Sequence, residues 1–146
     1  MMSRPTLEES VANLADIAAV APLEVWGDAV QARRVEGERI TLALVELAPN
    51  ALVPEHRHPA EQLGLVIRGS VHFRIDDEER DLGPGGTWRI LSDHPHEVRA
   101  GADGATVVDV FNPVRGDWNA LRVLEPRQPR WPPAPADDPD AKRERA

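Results

Sequence analysis

The 146-residue chain contains no cysteine, so neither a disulfide framework nor a thiolate ligand or nucleophile is available to it. No apolar run approaches the roughly 18 residues of a membrane span. The opening Met1-Met2-Ser3-Arg4 leads into an acidic segment and lacks the apolar core of a signal peptide. Basic residues are in deficit, 17 against 25 acidic, for a formal charge of −8. They are scattered along the chain, which argues against nucleic acid as a partner. These absences predict a soluble, cytoplasmic protein. The length allows one domain with appendages, large enough for a real core but too short for two.

Three regions differ in pattern. In residues 1–22, Thr6-Leu7-Glu8-Glu9 has the spacing of a capping box, and Leu7, Val11, Leu14 and Ala18 recur at helical intervals. A short amphipathic helix ending before Pro22 is expected, either packing on the domain or capping a pocket or partner subunit. From residue 23 the period changes. Residues 30–35 and 40–47 are rich in valine, leucine and isoleucine and are broken by Gly37, which predicts two strands and a turn. Val71, Phe73 and Ile75 alternate with polar residues, and further strands are expected at 65–67, 87–90, 96–99 and 105–111. Gly69-Ser70, Asp76-Asp77-Glu78, the 81–86 stretch and 101–104 read as turns between them. Seven of the ten glycines fall between Gly64 and Gly104, so short strands and tight turns alternate at close spacing. That is the pattern of a small antiparallel barrel or sandwich over residues 23–125. Residues 126–146 hold six of the fourteen prolines and form no core of their own, leaving a disordered tail or a docking arm around Trp131.

The chemistry concentrates in Pro54-Glu55-His56-Arg57-His58-Pro59-Ala60-Glu61-Gln62. On an extended segment His56 and His58 project from the same face, so their imidazoles converge. Gln62 keeps that parity, a bend is expected at Pro59, and His96 follows after a glycine-rich turn. The alternatives are exposed loop histidines, or a three-histidine site with Gln62 as ordinary polar lining. Glu61 is expected to face solvent or to support a ligand imidazole, His72 and His94 to lie on the surface, and Trp88 to sit in the core or stack on a substrate. Asp109 and Phe111 share the face of Val107, and an inward carboxylate is costly without a partner. Asp109 is therefore the acid/base candidate. Arg115 offers a planar fork for a substrate carboxylate, or else a structural salt bridge to Asp109.

From about residue 23 to 124 the chain resembles a small single-domain cupin, a double-stranded β-helix or jelly-roll barrel. The first cupin motif is matched by His56-Arg57-His58-Pro59-Ala60-Glu61-Gln62 with Gly69, and the second by Gly83-Pro84-Gly85-Gly86 with Pro95-His96. Counting back from Gly69 puts Gln62 where that motif usually has glutamate. A narrower resemblance links His-x-His-x-x-Glu-Gln, with Asp109-Val110-Phe111-Asn112-Pro113-Val114-Arg115, to the pectin-degradation cupins that linearise unsaturated galacturonate. It implies metal ligands at His56, His58, Gln62 and His96, substrate-serving roles for Asp109, Phe111 and Arg115, and a homodimer.

A neutral set of three imidazoles and one amide leaves the full charge of a divalent ion free to polarise a carbonyl or water. Zinc, iron(II), manganese and nickel all suit nitrogen and oxygen donors, and a small anionic, oxygen-rich ligand is the expected partner. Gly64, near Gln62, is expected to leave space beside the metal. Three functions follow: a metal-dependent lyase or isomerase of a small sugar acid or keto acid, a non-catalytic ligand-sensing module, or an iron-dependent dioxygenase, which the missing glutamate disfavours.

Overall fold

A computed structural model describes residues 12–135. Eight strands form the body: β1 (Leu23–Trp26), β2 (Val30–Glu36), β3 (Thr41–Leu47), β4 (Leu52–His56), β5 (Glu61–Ile75), β6 (Glu78–Leu82), β7 (Thr87–Ile90) and β8 (His96–Asn112). They join one antiparallel sheet in the order β1-β2-β3-β8-β5-β6, with β4 added to β8 and β7 to β5. Alternation dictates which residues go inward. Ala43, Val45 and Leu47 of β3, Val66, Val71 and Phe73 of β5, and Val107 and Phe111 of β8 meet in a single core with Trp88, Ile90 and Trp118. The fold is the expected all-β cupin barrel.

The two long strands carry the architecture. The last part of β8 pairs with β3, its first part with β4, and both parts pair with β5. Each strand therefore belongs to both halves of the barrel. The sequence reading divided each of them in two, taking Gly69-Ser70 and residues 101–104 as turns. They are instead irregularities inside continuous strands, with register shifts between Val66 and Arg68 and between Gly69 and Val71. Gly69 sits at φ +78°, and a Cβ there would overlap the carbonyl of Gly104 across the ladder. Glycine here marks a bulge that bends a strand. β1 and β6 were also not anticipated as strands.

The flanking regions differ from expectation in part. Residues 6–11 of the anticipated helix lie outside the described residues. From residue 12 to 16 the chain is not α-helical, a single 3-10 turn spans Ile17–Ala19, and Leu14 is 91% exposed. Leu14 thus finds no surface to pack on, while Ala18 is half-buried. Residues 126–135 run along the barrel as an arm. Arg33, 1% exposed on the outer face of β2, donates to the carbonyls of Arg127 and Val20 and pairs with Glu46 at 2.6 Å. Glu46 in turn accepts from the Arg130 amide, and Pro129 is buried. Among the described residues no helix is long and apolar enough to cross a membrane.

Candidate metal centre

His56 and His96 are direct cross-strand partners of β4 and β8, which brings their ring centroids to 4.2 Å. β4 ends at His56, and His58 reaches the same point from the irregular segment before β5, with Pro59 in a bend. Its ring lies 4.9 Å from His96 and 5.5 Å from His56. A ligand nitrogen of each histidine lies within 4.8 Å of the others. The loop-histidine alternative is thereby removed: the three rings form one cluster that can hold a metal ion.

Hydrogen bonding fixes which nitrogens are free. The Nδ1 atoms of His56, His58 and His96 lie 2.9, 2.8 and 2.9 Å from the carbonyls of Pro54, Ala60 and His94. A carbonyl only accepts, so each Nδ1 carries the proton and donates it, leaving Nε2 as a lone pair. The Nε2 of His96 is buried with no hydrogen-bond partner. Orphaned buried acceptors are expensive, and a divalent ion satisfies one.

Gln62 fits the same demand. Its Nε2 donates to Asp109 Oδ1 at 2.9 Å, which turns Oε1 toward His58 Nε2 at 3.1 Å. Two acceptors then face each other, an arrangement that a cation between them relieves. Protonating the rings is the other remedy, and burial opposes it. Burial foremost, then the charge of Arg115, holds His58 below the ordinary imidazole range. Burial likewise pushes His96 down to about 4. Neutral rings with their lone pairs free are what a metal requires.

Beside this cluster lies a cavity of about 190 Å³, lined by His56, Gln62, His96, Asp109, Phe111 and Arg115 among apolar residues including Val45, Val53 and Val107. Asp109 enters from β8 opposite Gly64. Its Oδ1 accepts from Gln62 Nε2 and from Trp88 Nε1 at 2.8 Å. Burial pushes its carboxyl up to about 6, against the pull of those two donors and of Arg115. Gly64 does not open space for a metal as expected. A Cβ there would overlap the Trp88 indole nitrogen and the Asp109 carboxylate, so glycine makes room for that hydrogen bond.

Arg115 does not pair with Asp109. Its Nε and Nη2 donate to Oδ1 and Oδ2 of Asp117 at 3.0 and 2.8 Å, and its guanidinium lies over the rings of Phe111 and Trp118 at 4.7 and 4.8 Å. Phe111 packs edge-on to His58 and acts as wall. Trp88 is buried against Phe73 and holds Asp109. Glu61 is exposed, as are His72, between Asp81 and Glu79, and His94, bonded to Asp76.

Three contributors escaped the sequence reading. Trp26 stands 5.6 Å from the His56 ring, and Asp117 and Trp118 come from the 3-10 turn Gly116–Ala120. Only the position of Asp117 two residues after Arg115 hinted at the pair.

The cupin domain family matches residues 43–111. No curated protein matches the sequence. Among solved structures, an RmlC-like cupin from Shewanella frigidimarina has a TM-score of 0.68 at 17% identity, covering 74% of this chain and 96% of its own. KdgF from a Halomonas species gives 0.61 at 24%, over 65% and 88%. Bacillus subtilis oxalate decarboxylase gives 0.64 at 25%, over 78% of this chain but 33% of its own. Barrel, motifs and family match coincide on the strands that carry the histidines: the chain has the fold of a small cupin, with the cupin domain match over residues 43–111.

Proposed function

We propose that this protein binds one divalent metal through His56, His58, Gln62 and His96 and acts as a lyase or isomerase on a small sugar acid or keto acid. The unpartnered Nε2 of His96, converging with the other two histidines beside a cavity that also holds Asp109, is the observation that carries this reading. The likeness to an oxalate decarboxylase, an enzyme with Mn(II) centres, supports a metal and a carboxylate-bearing ligand. When bound, the metal supplies Lewis acidity toward a carbonyl or hydroxyl oxygen.

The protein's own groups do the rest. Asp109 is held in one orientation by Gln62 and Trp88, so its carboxylate is positioned to take or return a proton in the cavity. Arg115 fixes the carboxylate of the ligand, and the apolar wall excludes bulk water. Opening the ring of a cyclic sugar acid breaks one C–O bond, moves one proton from a hydroxyl and returns one to the ring oxygen or adjacent carbon. It consumes no co-reactant. Two copies assemble as a dimer through the outer face of β3, β8 and β5.

The test is metal analysis of purified protein together with turnover of unsaturated uronates and keto acids. About one divalent ion per chain is expected, with turnover lost in Asp109→Asn while metal content is kept. Full metal content with no turnover of any such acid would favour a ligand-sensing module.

A further inference from the structure

Arg115 and Asp117 line the same cavity as the histidines, yet they are anchored very differently. The Arg115 side chain is 11% exposed and that of Asp117 64%. The guanidinium rests on two aromatic rings, and the Arg115 backbone amide donates to Thr41 Oγ1 at 3.0 Å. Thr41 itself is fully buried. Asp117 belongs to a short 3-10 segment and reaches back across two residues to occupy the Nε–Nη2 edge of the guanidinium. An exposed ion pair of this kind is weak, whereas a guanidinium stacked on aromatic faces is held in place.

We propose that Asp117 is a stand-in carboxylate, and that a ligand is accepted when its own carboxylate displaces Asp117 from the Arg115 fork. Asp117 thereby sets specificity. A neutral molecule of the same shape offers no carboxylate with which to take the Nε–Nη2 edge from Asp117. A carboxylate ligand exchanges one bidentate pair for another, and the exposed Asp117 side chain swings into water at small cost. The inference rests on the proposed use of Arg115 toward an anionic ligand and adds the competitor that gates it.

Calorimetric titration with D-galacturonate and with neutral D-galactose tests this without any turnover. Asp117→Asn is expected to bind galacturonate about 2- to 5-fold more tightly than the unmodified protein, the fold-change that releasing an exposed pair gives. Asp117→Glu should restore the original affinity. Galactose binding should be the same in all three, and Arg115→Gln should cancel the gain when added to Asp117→Asn. Asp117→Ser serves as a second neutral variant should Asn distort the turn. Equal or weaker galacturonate binding in both neutral variants, an equal gain for galactose, or no binding of galacturonate by any form overturns the proposal. The proton-carrying role of Asp109 fails separately, through turnover surviving in Asp109→Asn.

Discussion

The hydrogen bonds around Asp109 tie the histidine cluster to the proposed proton carrier through one amide, since Gln62 donates its nitrogen to Asp109 and turns its oxygen toward His58. The pKa of Asp109 makes a signed prediction. The folded value is raised to about 6, while the unfolded carboxyl titrates near 3.9. Between those values the folded state binds more protons, so Asp109 costs the metal-free protein stability as pH rises through that window. Asp109→Asn should therefore gain, relative to the parent, on the order of 2–3 kcal/mol above pH 6 and little below pH 4, read from urea unfolding after chelation. His58 and His96 slope the other way in both proteins and drop out of the difference. A difference independent of pH would contradict the account. Gly64→Ala should destabilise by about 1–3 kcal/mol in the same assay, because Trp88 and Asp109 already fill the space. The convergence of the histidines was legible because spacing along an extended segment fixes side-chain direction. The Arg115–Asp117 pair was not legible, and the alternative pair with Asp109 fails, because the pairing depends on a local turn that no periodicity records.

At the scale of elements, bent strands do what the sequence presented as turns. Gly69 and Gly104 resemble chain reversals in a list of residues, but each sits at positive φ at a bulge inside a continuous strand, Gly69 opposite Ala105 and against the Gly104 carbonyl. Alternation was read correctly on both sides of each glycine, and continuity through it was the missing step, because it depends on pairing with a distant partner. The arm after residue 125 was likewise open from composition alone. Its attachment comes from a buried arginine on β2 seeking carbonyl acceptors. Ending the chain at residue 125 removes the Arg127 carbonyl and the Arg130 amide from this network, which should cost about 1–3 kcal/mol in denaturant midpoint analysis. An unchanged midpoint would show that the arm merely rests on the barrel.

For the whole molecule, the register lines up a row of apolar side chains on the outer face, running Val35, Leu42, Val110 and Leu63 across β2, β3, β8 and β5. The next row runs Arg33, Leu44, Val108 and Leu65, with Arg33 and Leu44 buried and Leu65 exposed. Val35 is 56%, Leu42 40% and Leu63 49% exposed. A face of this kind marks an interaction site, and in the proposed dimer a second copy would cover it. The chain carries −8 overall, but the exposed row carries no charge from Val35 to Leu63, so turning it onto itself brings no like charges together there. Leu42→Glu with Leu63→Glu should convert a dimer to a monomer in light scattering while the barrel stays folded; a wild-type monomer would contradict the assembly.

The cavity's role depends above all on what occupies the histidine cluster. Anomalous diffraction from crystals grown with zinc or manganese measures this directly. The account predicts one peak per chain, bonded to Nε2 of His56, His58 and His96 at about 2.0–2.3 Å and facing Gln62 Oε1. A peak elsewhere, bonding through Nδ1, or an empty cluster at millimolar metal would contradict it.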